Sequence, residues 1–188
     1  MIPAKVIPTL TSMVNLSRFF PDEFRNKMTG ILDIGAKRSM LALMKAGRLE
    51  FYREIAVGGD DFTRGITGTI FHEGRAIQFS NEEATEFKLK FGYPLGYSEG
   101  MTFRGAPLGE VGTMMRPVVE RLTGEIHRSI GFFQDKSEGQ EVEALFLIGG
   151  GAQLKHLPNV LSEKLAIPVE LFSPPADISI VGDAKNQN

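Results

Sequence analysis

The order of apolar runs and glycines between Ile31 and Val57 constrains this chain more than any other feature. Ile31-Leu32-Asp33-Ile34-Gly35 is a short apolar run with one charge near its end. Ser39–Ala46 is apolar on both faces, Ala46-Gly47 is a turn signal, and Leu49–Val57 carries Phe51, Tyr52, Ile55 and Val57. Strand, glycine bend, strand, glycine turn, strand reads as an antiparallel meander. It does not read as a strand feeding a helix, and no G-x-x-x-x-G-K-[ST] occurs anywhere.

Around the meander the pattern turns helical. Thr9 to Phe20 spaces Leu10, Met13, Val14 and Phe20 for a helix. Asp60 or Asp61 is expected to cap a helix reaching Phe71, weakened by Gly65 and Gly68. Ser80 with Glu83 three residues on has the form of a capping box, opening a helix that Gly92 closes. Tyr93 to Pro107 reads as a long loop, and Val111 to Phe133 as the longest helix, which Pro117 either starts or kinks. Glu143–Ile148 is a buried strand, Leu154–Leu165 a helix, Val169–Phe172 a last strand, and the tail from Pro174 a frayed end.

Two glycine bends therefore follow apolar strands, at Asp33–Ser39 and at Ile148–Ala152. Such bends let backbone N–H groups approach an anion. Asp33, at a strand end, suits a Mg²⁺ that keeps most of its waters and bridges to phosphate. The triple glycine is expected to open directly into a helix, and a Val at Gly150 to strain the bend. Gly149–Leu154 approximates G-x-G-x-x-G but carries Leu where the third Gly belongs; Glu170 stands near the place of a ribose-binding acid.

Other chemistries find no support. The chain has no Cys, so disulfides, thiolate zinc sites and cysteine nucleophiles are out. His72, His127 and His156 are scattered, and no G-x-S-x-G elbow exists. With Lys+Arg 21 against Asp+Glu 23, the net charge of -2 lacks the basic excess of a nucleic-acid binder. No apolar run is long enough to span a bilayer, so no direct membrane insertion is expected.

Taken with its flanks, the meander resembles a known family. Ile31-Leu32-Asp33-Ile34-Gly35-Ala36, then Arg53-Glu54-Ile55-Ala56-Val57-Gly58-Gly59 with Thr63, resembles the second phosphate motif of the actin-like ATPases. Glu82-Glu83-Ala84 to Lys88, Glu125–Ser129 with Phe132-Phe133, Leu145–Ala152 and Leu165–Glu170 extend the likeness in order, from about Val6 to Pro174. Within that superfamily it is similar to the FtsA-like PilM proteins of type IV pilus assembly. FtsA-type and DnaK-type lobes, and an interaction module without nucleotide, are the alternatives.

The resemblance implies an α/β, ribonuclease-H-like actin-type lobe, with a mixed sheet opening on the meander. Residues 1–58 and 109–188 would form a nucleotide-facing subdomain of IIA type, with 59–108 an inserted smaller helical and loop subdomain of IIB type. It also implies that the chain is the C-terminal lobe of a longer architecture, one wall of an ATP and Mg²⁺ cleft. Asp33 would face the metal, through water, and the phosphates. Gly35, Ala36, Lys37, Arg38 and Ser39 would form the phosphate loop, although the family favours small residues where Lys37 and Arg38 stand. Gly149, Gly150 and Gly151 would lie under the α-phosphate and adenosine, with Glu125 and Arg128 facing ribose and base. No catalytic residue is assigned. The implied partners are the tail of a PilN-like inner-membrane protein and the pilus motor ATPases, with self-association open. The implied location is cytoplasmic, peripheral to the inner membrane through those partners.

Overall fold

The computed structural model describes residues 9–94 and 100–173; the tail from Pro174 lies outside them. Helix α1 (Thr9–Leu16) runs through a 3-10 turn and a second short turn into the meander. Strands β1 (Thr29–Ile34), β2 (Ser39–Lys45) and β3 (Arg48–Ile55) pair antiparallel in sequence. The glycine turn between the last two takes positive φ at both Ala46 and Gly47, as the tight hairpin requires.

Helix α2 (Gly59–Ile66) follows, and it corrects two expectations. Its cap is Gly58, not Asp60 or Asp61, and the helix stops at Ile66 short of Phe71. Gly58 is needed because a Cβ there would lie 2.5 Å from the Ala36 carbonyl oxygen and 2.6 Å from the Arg38 nitrogen. Asp61 serves from inside the helix, accepting the Gly58 N–H at 2.8 Å. The residues beyond form a hairpin, β4 (Thr69–His72) with β5 (Arg75–Gln78), turned on positive-φ Glu73 and Gly74. Gly65 lies within the last turn of α2 and Gly68 beyond its end, after the Thr67 cap.

Asp61 also accepts hydrogen bonds from Arg64 at 2.8 Å and Arg121 at 2.6 Å, tying α2 to a later helix. Burial raises its pKa, but the Gly58 N–H and the two guanidiniums outweigh this and hold it below the usual value. The charged form is therefore favoured in the fold. This stabilisation is present above the ordinary carboxylate pKa and is lost as pH falls through the lower folded value. Asp61→Ala is expected to lose about 1–2 kcal/mol at neutral pH. Urea melts at pH 7 and near pH 3 check this: a loss equally large in acid would contradict the assignment.

Ser80 caps α3 (Asn81–Lys90) as the sequence predicts, its hydroxyl accepting the Glu83 N–H at 3.2 Å. The expected long loop contains a small ribbon, β6 (Thr102–Phe103) with β7 (Ala106–Pro107). Helix α4 (Leu108–Thr113) is separate from α5 (Arg116–Lys136), where Pro117 starts the helix proper. Strand β8 (Ala144–Ile148) then enters beside β1 and parallel to it, and β9 (Val169–Leu171) adds parallel to β8. Between them α6 (Leu157–Leu165) begins later than expected, because Pro158 sets its first turn. Among the described residues the main sheet has five strands, in the order β3-β2-β1-β8-β9.

Apolar side chains alternate across this sheet. Leu32, Ile34, Leu41, Leu43, Leu145 and Leu147 face α2, α3, α5 and α6 in one continuous core, which takes in Phe62, Phe87 and Phe103. Ile31, Ala42, Met44, Ala144 and Phe146 face Met13 and Phe20 in a second, smaller cluster. Central β1 and β8 are thus buried on both faces, which explains why β8 reads as an unbroken apolar run and β1 as one interrupted only near its end, by Asp33.

Candidate functional site

β1 and β8 are parallel neighbours, with Asp33 paired to Ile148, so their two glycine bends emerge side by side at one sheet edge. Ligands of open α/β sheets bind at such carboxyl ends. The first bend closes on itself, Gly35 N–H donating to the Arg38 carbonyl at 3.0 Å. The start of α2 is pinned to it: Gly59 and Asp60 N–H donate to the Gly35 and Ala36 carbonyls, each at 2.8 Å. Ser39 secures the far side, its hydroxyl donating to the Val57 carbonyl at 2.7 Å.

The three glycines of the second bend play different parts. Gly149 has φ +87°, and a Cβ there would strike the Asp33 carboxylate and stand 2.7 Å from the Ile34 carbonyl oxygen. Gly151 is packed on Ile34. Gly150 has φ −64° and nothing within 4 Å of an added Cβ, so a side chain there would occupy open space without strain. The bend passes into a 3-10 turn, Gly151–Gln153, and reaches α6 only after His156 in the left-handed region. It does not open directly into a helix.

Between the bends and α3 lies a cavity of about 230 Å³, walled by Ala36, Gly59, Asp60, Lys88, Gly150 and Gly151, with Phe62, Leu89, Gln153 and Leu154 as its apolar and amide sides. Lys88 is the residue that sequence reasoning did not place here. Its ammonium donates to the Gly59 carbonyl at 3.0 Å and to the Thr63 hydroxyl at 2.7 Å. Burial lowers its pKa, partly offset by the Asp60 carboxylate. The only hint in the sequence was its position at the end of the Glu82–Lys88 stretch.

Asp33 sits half-buried beside Gly149, and burial raises its pKa. Among the described residues no hydrogen bond or ion pair is found for its carboxylate. Arg38 points away from the bend and grips Glu54 of β3 with both oxygens at 2.9 Å, so it does not crowd the loop. Lys37 is exposed at the tip. Glu125 and Arg128 pair with each other on α5, and Glu125 also takes Arg53 of β3 at 3.3 Å. Neither lines the cavity.

The family described as Type IV pilus assembly protein PilM matches residues 8–188. Among solved structures, a PilM-PilN type IV pilus biogenesis complex superimposes with TM-score 0.63 at 25% identity, over 86% of this chain and 40% of that one. MreB5 of Spiroplasma citri bound to AMPPNP gives TM-score 0.62 at 17% identity, over 85% and 52%. The same protein bound to ADP gives 0.63 at 18%, over 86% and 53%. The fold is that of the actin-like ATPases, and the chain spans about half the length of these relatives or less. No helix among the described residues is long and apolar enough to cross a membrane.

Proposed function

Because this chain belongs to the PilM family of type IV pilus assembly proteins, we propose that it is the nucleotide-facing lobe of a pilus-assembly scaffold. Its cavity would form one wall of a site for Mg²⁺-ATP. The observation that carries this reading is convergence: two glycine bends, the start of α2 and the Lys88 ammonium meet at one cavity, beside a half-buried carboxylate without a counter-charge.

The donor set suits the ligand. Mg²⁺ is held through one or two carboxylates while it keeps waters and bridges phosphates. Asp33 would be the carboxylate that holds it: it stands beside the cavity, whose lining includes Asp60 rather than Asp33, and its burial cost is the kind a divalent cation relieves. Bound Mg²⁺ neutralises phosphate charge. The chain's own residues do the rest: the 35–39 bend and the Gly150–Gly151 backbone give close approach, and Lys88 supplies a positive charge. In this reading Glu125 braces α5 on β3 through Arg53, and Arg128 holds Glu125 from the same helix. The MreB5 structures that share the fold contain AMPPNP or ADP, which supports the ligand class.

A PilN-like tail is the partner proposed, after the complex in which the similar PilM was solved. Through it the protein would sit in the cytoplasm at the inner membrane, near the pilus motor ATPases. The alternative, a nucleotide-free interaction module, drew on Lys37 and Arg38; Arg38 is engaged by Glu54, while Lys37 stays exposed at the tip.

The cavity is smaller than the roughly 300–1,000 Å³ of a typical ligand pocket. Titration calorimetry with Mg²⁺-ATP is therefore expected to give a Kd of about 1 mM, roughly -4 kcal/mol. Gly150→Val, filling open space, should abolish binding and leave the thermal melt unchanged. Equal binding by that variant would rule the cavity out, and micromolar binding would contradict a one-walled site.

A further inference from the structure

Among the described residues the main sheet ends on two edges, β3 and β9. An edge strand is a template for pairing unless something blunts it. β3 is blunted by paired charges: its Glu54 is bound to Arg38 and its Arg53 to Glu125. β9 is not. The Pro168 carbonyl accepts the Leu145 N–H, and the Phe172 N–H donates to the Leu147 carbonyl, each at 2.9 Å. Residues 168, 170 and 172 therefore turn their backbone groups inward to β8, while Val169 and Leu171 turn theirs outward. Val169 is buried, but Leu171 is 42% exposed.

Beside this edge, on the α1 face of the sheet, lies a cavity of about 590 Å³. Phe20, Phe146 and Phe172 give it an aromatic floor, and Phe19, 43% exposed, stands at its rim. Four charged side chains line it. Asp22 and Arg25 are paired with each other at 3.0 Å. Arg18, on the turn after α1, and Glu170, on β9, are exposed, and among the described residues neither side chain has an ion pair or hydrogen bond. One open cation and one open anion, beside an open backbone edge, make a surface that is complementary to itself.

We propose that β9 is the two-fold edge of a homodimer: Leu171 pairs antiparallel with Leu171 of a second copy, and Glu170 of each copy meets Arg18 of the other. The register follows from the backbone. A residue on the axis exchanges both of its hydrogen bonds with its own copy, so its N–H and carbonyl must point outward and be accessible, as those of Leu171 do. Glu170 then lies opposite Phe172 of the second copy. Within each copy that ring is 6.1 Å from the ring of Phe20, two residues beyond Arg18, which brings the acid to the open guanidinium. A register centred on Glu170 would instead set two carboxylates against each other. The contact uses up its own surface, so it closes as a dimer and does not propagate. It is independent of the glycine cavity. A strand of three residues and one groove per copy make a small interface, so micromolar association is expected.

Sedimentation velocity over a concentration series is expected to show a monomer–dimer equilibrium. Arg18→Glu and Glu170→Arg should each weaken it roughly tenfold or more, by setting like charges across the axis. Mixed in equal amounts, the two variants should dimerise at close to wild-type strength, because the mixed pair sets an acid against a base at both contacts. A pair made within one chain cannot give that recovery. Leu171→Pro removes the N–H on the axis while the Phe172 N–H still holds β9 to β8, and should abolish the dimer with the thermal melt little changed. A monomer at every concentration, the result of a groove filled from within the chain or by another partner, overturns the proposal. So do dimers that the single charge variants leave intact, a mixture that does not recover, and assemblies that grow past two copies.

Discussion

Gly149→Ala is expected to cost about 3 kcal/mol of stability, while Gly150→Ala next to it costs almost nothing. Gly149 lies at φ +87°, a left-handed conformation that taxes any L side chain by roughly 1–2 kcal/mol. Its methyl would also land on the Asp33 carboxylate and the Ile34 carbonyl, where overpacking adds about 1–3 kcal/mol. Gly150 is at φ −64° with nothing within 4 Å of an added Cβ. Domain stabilities are typically about 5–15 kcal/mol, so the first loss is a large fraction of the total. Urea denaturation of the two variants decides it: similar midpoints would mean that the bend at Gly149 is not as tight as described.

Asp33 is expected to govern the response to ligand. In the free protein its pKa is raised by burial alone. The folded value lies above the unfolded one, so stability falls as pH rises from the ordinary carboxylate range through the raised value. The penalty is complete above that window and absent below it. Asp33→Asn should accordingly melt higher than wild type at neutral pH and lose that advantage in acid. Ligand reverses the picture. At ten times its Kd, Mg²⁺-ATP should stabilise wild type by about 1.4 kcal/mol, a shift of about 3–6 °C for a chain of this size. Asp33→Ala should gain almost nothing, because the metal loses its carboxylate. An equal shift in both proteins would remove Asp33 from the site.

The sheet was readable in advance for local reasons. Ile31–Gly35, Ser39–Ala46 and Leu49–Val57 are apolar segments separated by glycine turns, and the structure pairs them as read. What escaped was set by contacts distant in sequence. Gly58 caps α2 because the 36–38 backbone crowds it, and no local pattern reports that. The hairpin at Thr69–Gln78 was hidden by a helical reading that ran past Gly68, although Glu73-Gly74 is a turn signal. Lys88 acquires its role from Gly59 and Thr63, far upstream. Glu125 and Arg128 are neighbours on one helix, as their spacing predicts, but the ribose- and base-facing place that the resemblance implies for them is not in the cavity lining, and Arg53 of β3 pairs with Glu125.

The two apolar clusters on opposite faces of the sheet carry a consequence for how such a chain tolerates change. Strands β1, β2 and β8 send alternate side chains to different cores, so Leu32 and Ile31, though adjacent, answer to different neighbours. Substitutions in the α1 core should add independently to those beneath the glycine bends, as separated sites do. The face formed by Met13, Phe20 and Phe146 can therefore drift toward new surroundings while the cavity side keeps its geometry, the sheet acting as a bulkhead between an innovating hull and a guarded hold.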